Sequence, residues 1–214
     1  MGGEDVSVTD RGQTEAAIRE ALERTIEALA TTIELRDPYT AGHQRRVAEL
    51  ARAIAREMGL PEERVQGIYV GALVHDLGKI AVPAEILSKP GRLSEAEFNL
   101  IRQHPRVGYE ILKPVPFPWP VAEMVLQHHE RLDGSGYPQG LKGDDISLEA
   151  RILAVADVVE AMSSHRPYRP ALGRRRAMEE LLRERGRLYD PEVVRACLTV
   201  LRKGFVFSKG SFAL

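Results

Sequence analysis

Apolar positions recur at helical spacing along nearly the whole chain. Ala17, Ile18, Ala21, Leu22, Ile26, Leu29 and Ile33 mark one face of a helix predicted over about 14–34. Val47, Leu50, Ala51, Ile54 and Met58 define a second, which Gly59 is placed to end. Pro61 opens a third, carrying Val65, Ile68, Tyr69, Ala72 and Leu73. Ser94 and Glu97 form a capping-box pair for a helix running to about His104. Further helices are predicted over about 121–129, 148–163, 174–185 and 191–202, the last signalled by Asp190-Pro191. Four prolines in KPVPFPWP, 113–120, impose a rigid loop. No stretch of any length alternates as a strand does. The pattern therefore predicts an all-α, single-domain helical bundle over 14–202. Residues 1–13 are expected to be disordered or frayed, and the tail 203–214 to form a small hairpin or to pack down.

Three features break the apolar pattern in ways that a core does not explain. LVHDLGKI, 73–80, sets a histidine, an aspartate and a lysine in an apolar run. A buried charge without a partner is expensive, so this segment requires one. His128 and His129 form a second adjacent pair, and Asp157 interrupts the apolar run ILAVADVVEAM. Adjacent helical positions point about 100° apart, so two adjacent pairs in one chain suit two nearby ions. Imidazole and carboxylate together fit zinc, iron, manganese or nickel rather than calcium. Lys79 follows His75 by four residues and Asp76 by three, on their helical face. It would aim a charge at a phosphate or a developing oxyanion; the bland alternative is a solvated lysine at a helix end. HHERLDGSGYPQGLKG, 128–143, holds four glycines and a proline, a long irregular loop leaving directly from the paired histidines. Arg166 and Arg169 in HRPYRPA offer forked cations to a phosphate or a guanine edge, or else are ordinary surface arginines.

Composition narrows the field. A formal net charge of −1 gives no electrostatic ground for binding polymeric nucleic acid or an anionic membrane. No apolar run reaches the about 20 residues of a membrane span. MGGEDVSVTD lacks the basic start and apolar core of a secretory signal. The single cysteine, Cys197, cannot form an intrachain disulfide, and Val194, Leu198 and Leu201 around it mark a buried thiol. These features predict a cytoplasmic protein.

Six motifs follow one another between about Leu29 and Val194: RDPYTAGHQRRVAELA, GALVHDLGKIAVP, ILSKPGRLSEAEF, HPRVGYEIL, HHERLDGSGYP and RILAVADVVEAMSSHRPYR. In that order they resemble the HD-GYP branch of the HD phosphohydrolase superfamily, a far more specific signal than an isolated HD pair. The resemblance implies a bundle of the HD superfamily type that hydrolyses cyclic di-GMP to pGpG or GMP. It implies two divalent ions, iron or manganese ahead of zinc or nickel. His43, His75, Asp76 and Asp157 match the ligand set shared by HD proteins, and His104, His128 and His129 would complete the second ion, with Asp76 as the bridge. Asp76 and Lys79 would be the catalytic residues, and Lys79, Arg166 and Arg169 the substrate-binding ones. Gly136, Tyr137 and Pro138 would form the GYP loop, a surface for a protein partner. Some members hold a third ion with a glutamate four residues before the first histidine; here that position is Tyr39, which implies two ions. Two neighbouring cations would lower the pKa of a water enough to make it a nucleophile near neutral pH. Two rival readings stay open. One is a metal-containing cyclic dinucleotide receptor with little turnover, the other an HD phosphohydrolase acting on other nucleotides. The amphipathic segment 14–34 would join a sensory or regulatory domain or a second copy of the chain, or simply pack onto the bundle.

Overall fold

The computed structural model describes residues 5–36, 41–164 and 171–208. Among the described residues there are ten α-helices: α1 Asp5–Glu34, α2 His43–Glu57, α3 Glu62–Val74, α4 Ala84–Leu87, α5 Glu95–Ile101, α6 His104–Leu112, α7 Val121–Gln127, α8 Leu148–Ser163, α9 Arg174–Arg183 and α10 Pro191–Arg202. A 3₁₀ turn, Leu77–Ala81, follows α3, and another, Gly143–Asp145, precedes α8. Extended pairing among these residues is limited to isolated bridges between Asp133 and Lys142 and between Arg185 and Tyr189. The chain is all-α, as its periodicity predicts.

Helix α2 lies at the centre. Val47, Leu50, Ala51 and Ile54 on it are fully buried where it packs against α3, α8 and α10. Burying a side chain of this size stabilises by about 1.5–3 kcal/mol, so packing rather than helix propensity holds the bundle together. Helix α8 is apolar nearly all round because it is enclosed: Ile152, Leu153, Val155, Ala156 and Val159 are fully buried. Cys197 sits in the same core, and burial pushes its thiol up to about 12, the inert group that its neighbours predict.

Local signals account for several helix ends. Ser94 and Glu97 form the predicted capping box of α5. The Asp190 carboxylate caps α10 by accepting the backbone N–H groups of Glu192 and Val193, at 2.8 and 3.1 Å. Helix α2 begins differently. Its first N–H groups meet the Glu34 carboxylate at the end of α1, which accepts from Gly42 at 2.8 Å and from Gln44 at 3.3 Å. The end of α1 thereby caps α2 and sets the approach of its first residue, His43.

Several expectations are corrected. Helix α1 begins at Asp5, so most of the stretch read as frayed is helical. Periodicity detects a buried face, not helicity, and a polar extension that propagates from a packed half leaves no such trace. The helix predicted to reach His104 ends at Ile101, and α6 starts afresh at His104. Pro105 reads as a breaker in sequence, yet it stands in the first turn of α6, where its missing N–H leaves no bond unmade. Of the two alternatives for the tail, hairpin or packing down, the structure takes the second through residue 208. Phe205 and Phe207 meet edge to face at 5.4 Å and pack onto the core. Tyr39, Arg166 and Arg169 lie outside the described residues, as does the end of the tail. No described helix is long and apolar enough to cross a membrane.

Candidate metal centre

Six of the seven predicted ligands sit at or just past helix ends. His43 opens α2 and His104 opens α6; His75 and Asp76 follow α3, and His128 and His129 follow α7. Only Asp157 comes from a helix interior, that of α8. The HD pair is therefore not inside a long helix, as its apolar flanks predict, but at the junction between α3 and a 3₁₀ turn. His75 and His128 keep right-handed helical backbone angles as they end α3 and α7, and both members of each pair still reach one cluster.

The cluster falls into two groups joined in the middle. Ligand atoms of His43, His75 and Asp157 all lie within 4.8 Å of one another, as do those of His104, His128 and His129. His75, Asp76 and His128 form a third such group between them. Asp76 faces both ways. Its Oδ2 is 3.6 Å from His75 Nε2 and 3.8 Å from His43 Nε2, and its Oδ1 is 3.3 Å from His104 Nε2. Asp157 Oδ1 is 3.3 Å from His43 Nε2.

Ring tautomers decide what these atoms offer. Nδ1 of His75, His104 and His128 faces the carbonyl oxygen of Ala72, Ile101 and Val125 respectively, at 2.7, 2.7 and 2.6 Å. A carbonyl cannot donate, so each Nδ1 carries the proton and each Nε2 presents a lone pair. His104 Nε2 and His128 Nε2 nevertheless face each other across 3.2 Å. Two lone pairs that close, beside a carboxylate, are favourable only with a cation among them. The donor set of imidazoles and carboxylates suits a divalent transition metal.

The charge states match. Burial alone would raise the Asp76 carboxyl, yet Lys79 and the surrounding imidazoles hold it well below the usual carboxylate range. Asp157 is held down likewise, against burial, chiefly by His43. Burial pushes His104 down to about 4, and with neighbouring imidazoles holds His128 and His129 well below the ordinary histidine value. Three neutral imidazoles and two carboxylates are thus preset at neutral pH. His43 differs: burial opposes its cation, but Glu160 and Asp157 outweigh this and raise it to about 9. A metal binding there displaces that proton.

Glu160 is the functional residue that sequence reasoning missed. Counting Asp157 as the acid of ILAVADVVEAM passes over a second one three residues on. Glu160 is fully buried and accepts His43 Nδ1–H through Oε2. Its Oε1 accepts from Arg46 Nε at 2.8 Å, Arg46 Nη2 at 2.7 Å and Ser164 Oγ at 2.6 Å. Such carboxylate–histidine pairs orient a ligand ring and raise its basicity. Glu160→Gln should therefore weaken metal binding on the His43 side by about 10- to 100-fold. Metal titration of the folded variant checks this, and an unchanged affinity would remove Glu160 from the support of the centre.

Lys79 Nζ donates to Asp76 Oδ2 at 2.7 Å. The pair meets because residues three apart eclipse in a 3₁₀ turn, not because they share an α-helical face. Gly78 beside it is required by close approach: a Cβ there would overlap the His104 carbonyl oxygen and lie 2.6 Å from Gly108 N. The turn thus lies flush on the start of α6, which brings Asp76 to His104. The loop after His129 folds back over the cluster, so that the Tyr137 ring stacks on His129.

Comparison with known proteins agrees with this geometry. The HD domain family model matches residues 27–193. The cyclic di-GMP phosphodiesterase response regulator RpfG of Xanthomonas campestris pv. campestris is 47% identical over 188 residues, which cover 86% of this chain and 50% of that protein. A cyclic di-GMP phosphodiesterase of Thermotoga maritima is 45% identical over 81% of this chain and 48% of its own length. The chain thus spans about half the length of these curated relatives. A solved cyclic GMP-AMP specific phosphodiesterase from V. cholerae shares the fold, with a TM-score of 0.65 at 16% identity over 84% of this chain and 48% of the other. Helices that deliver paired histidines and aspartates into one buried cluster, under a family model that runs from the end of α1 into α10, make this chain a member of the HD domain family.

Proposed function

We propose that this chain is a metal-dependent phosphodiesterase that hydrolyses cyclic di-GMP to pGpG or GMP at two divalent ions, iron or manganese. One observation carries the reading: two three-ligand groups meet at Asp76, with the lone pairs of His104 and His128 turned on each other within the second. The names of the relatives at 47% and 45% identity support the substrate. Tyr39, which offers no carboxylate, supports two ions rather than three.

Bound divalent ions would supply Lewis acidity toward a phosphoryl oxygen and toward a water nucleophile. The residues do the rest. His43, His75 and Asp157 would hold one ion, and His104, His128 and His129 the other, with Asp76 within reach of both groups. Lys79 keeps Asp76 anionic and sets a cation beside the place of the phosphate, where charge develops during attack. Arg166 and Arg169 grip the dinucleotide with planar forks that an ammonium cannot form. The reaction needs no nucleophilic side chain. The site serves cytoplasmic signalling, with residues 14–34 as the joint to a regulatory domain or a second copy of the chain and the GYP loop as a surface for a protein partner.

The test is product analysis. Anaerobically purified protein is reconstituted with Fe(II) or Mn(II) and given cyclic di-GMP, with cyclic GMP-AMP run in parallel. pGpG, GMP or both should appear only with metal present, and cyclic di-GMP should be the faster substrate. Tight binding of cyclic di-GMP without product would make the chain a receptor, and turnover of cyclic GMP-AMP alone would reassign the substrate.

A further inference from the structure

The second metal group contains a ligand that nothing polar orients. His75, His104 and His128 are each fixed through Nδ1 by a backbone carbonyl, and His43 is fixed by Glu160. Among the described residues His129 has no such partner on either ring nitrogen. A metal-binding imidazole left to rotate pays for its ordering each time an ion binds, and for that reason ligand histidines are normally tethered. What holds His129 is an aromatic ring. The Tyr137 ring lies on it at 4.7 Å between centroids with 27° between planes. On Tyr137 in turn lies the Arg102 guanidinium, 5.5 Å from the ring centroid, with Phe98 at 4.6 Å from the same guanidinium.

The loop is built to keep Tyr137 there. Tyr137 N–H donates to the carbonyl oxygen of His129 at 3.3 Å. Gly136 passes so close to the preceding chain that a Cβ would overlap the Glu130 backbone and lie 2.5 Å from both Arg131 N and His129 O. Glu130 is buried and its carboxylate accepts the N–H groups of Gln139 at 2.7 Å and Leu141 at 3.1 Å, closing the loop just beyond the stacked ring. We infer that Tyr137 is a positioning residue for His129: by stacking it replaces the missing hydrogen bond, so that the surface loop 130–142 sets the affinity of the second metal position.

This rests on the reading of His129 as a ligand of the second ion, and the test needs no nucleotide. Tyr137→Phe, Tyr137→Leu and Tyr137→Ala are titrated with Mn(II), bound ion being counted from the loss of the free Mn(II) EPR signal. Phe keeps the stack and should hold both ions within about threefold of the parent. Leu keeps bulk without the ring, and Leu and Ala should each lose about tenfold or more at one ion, the other being unchanged. If Ala fails to fold, Leu alone decides. Parental affinity in Leu overturns the inference, as does an equal loss at both ions or a loss in Phe equal to that in Leu. Failed hydrolysis of cyclic di-GMP leaves it standing. A parent that takes up only one ion refutes the two-ion reading itself, an outcome separate from any role of Tyr137.

Discussion

Asp76→Ala is expected to strip nearly all metal from the protein, and with it the proposed hydrolysis, while His128→Ala loses one ion and keeps the other. The difference follows from position. Asp76 turns Oδ1 toward His104 and Oδ2 toward His43 and His75, so both groups lose an anionic oxygen when it is removed. Two divalent ions about 4 Å apart, the spacing usual in two-metal sites, repel by about 16 kcal/mol at an effective dielectric near 20. The anion between them is what offsets that repulsion. His128 is neutral, and its loss leaves His43, His75, Asp76 and Asp157 in place around the first ion. Elemental analysis of both folded variants checks the contrast. Equal metal content in the two would end the bridging assignment.

Gly78→Ala should be strongly destabilising for a change of a single methyl group. The added Cβ meets backbone, the His104 carbonyl and Gly108 N, rather than the movable end of a side chain. Overpacking of this kind reaches about 3 kcal/mol, a fall of roughly 6–12 °C in Tm for a domain of this size. It also pushes α6 away from Asp76, so metal content should fall with stability. Gly59→Ala is the control. Gly59 has φ 74° but open space around it, so backbone strain of about 1–2 kcal/mol is the whole expected effect. Calorimetry on the metal-free proteins separates the two. A Gly78→Ala variant as stable as Gly59→Ala, with its metal intact, would show that the turn and α6 are not in close contact.

Much of this protein is determined by its sequence alone. The helices at α2, α3, α8 and α10 are legible because apolar residues recur along them at helical spacing, and the starts of α5 and α10 because Ser94, Asp190 and Pro191 act on neighbouring backbone groups. His75, Asp76 and Asp157 are legible too, since an aspartate or histidine in an apolar run must be satisfied by something, and His128 and His129 stand out as an adjacent pair; His43 and His104 come only from the resemblance to the HD-GYP family. The spacing of Lys79 puts it beside His75 and Asp76 on a helical face; the structure keeps it beside Asp76, but through a 3₁₀ turn. What the sequence leaves undecided depends on contacts between residues far apart in the chain. Glu160 meets His43 across 117 positions; its place in the apolar run ILAVADVVEAM marks an acid that needs a partner but not which partner. Gly78 looks like any helix-end glycine until α6 is seen to lie against it. The division of the ligands into two groups around Asp76, and the ring of Tyr137 standing in for a hydrogen bond to His129, are set by how helix ends converge. Hydrophobic periodicity records which face of a helix is buried; it carries no information on which other ends that burial brings together, and only the packed structure decides that.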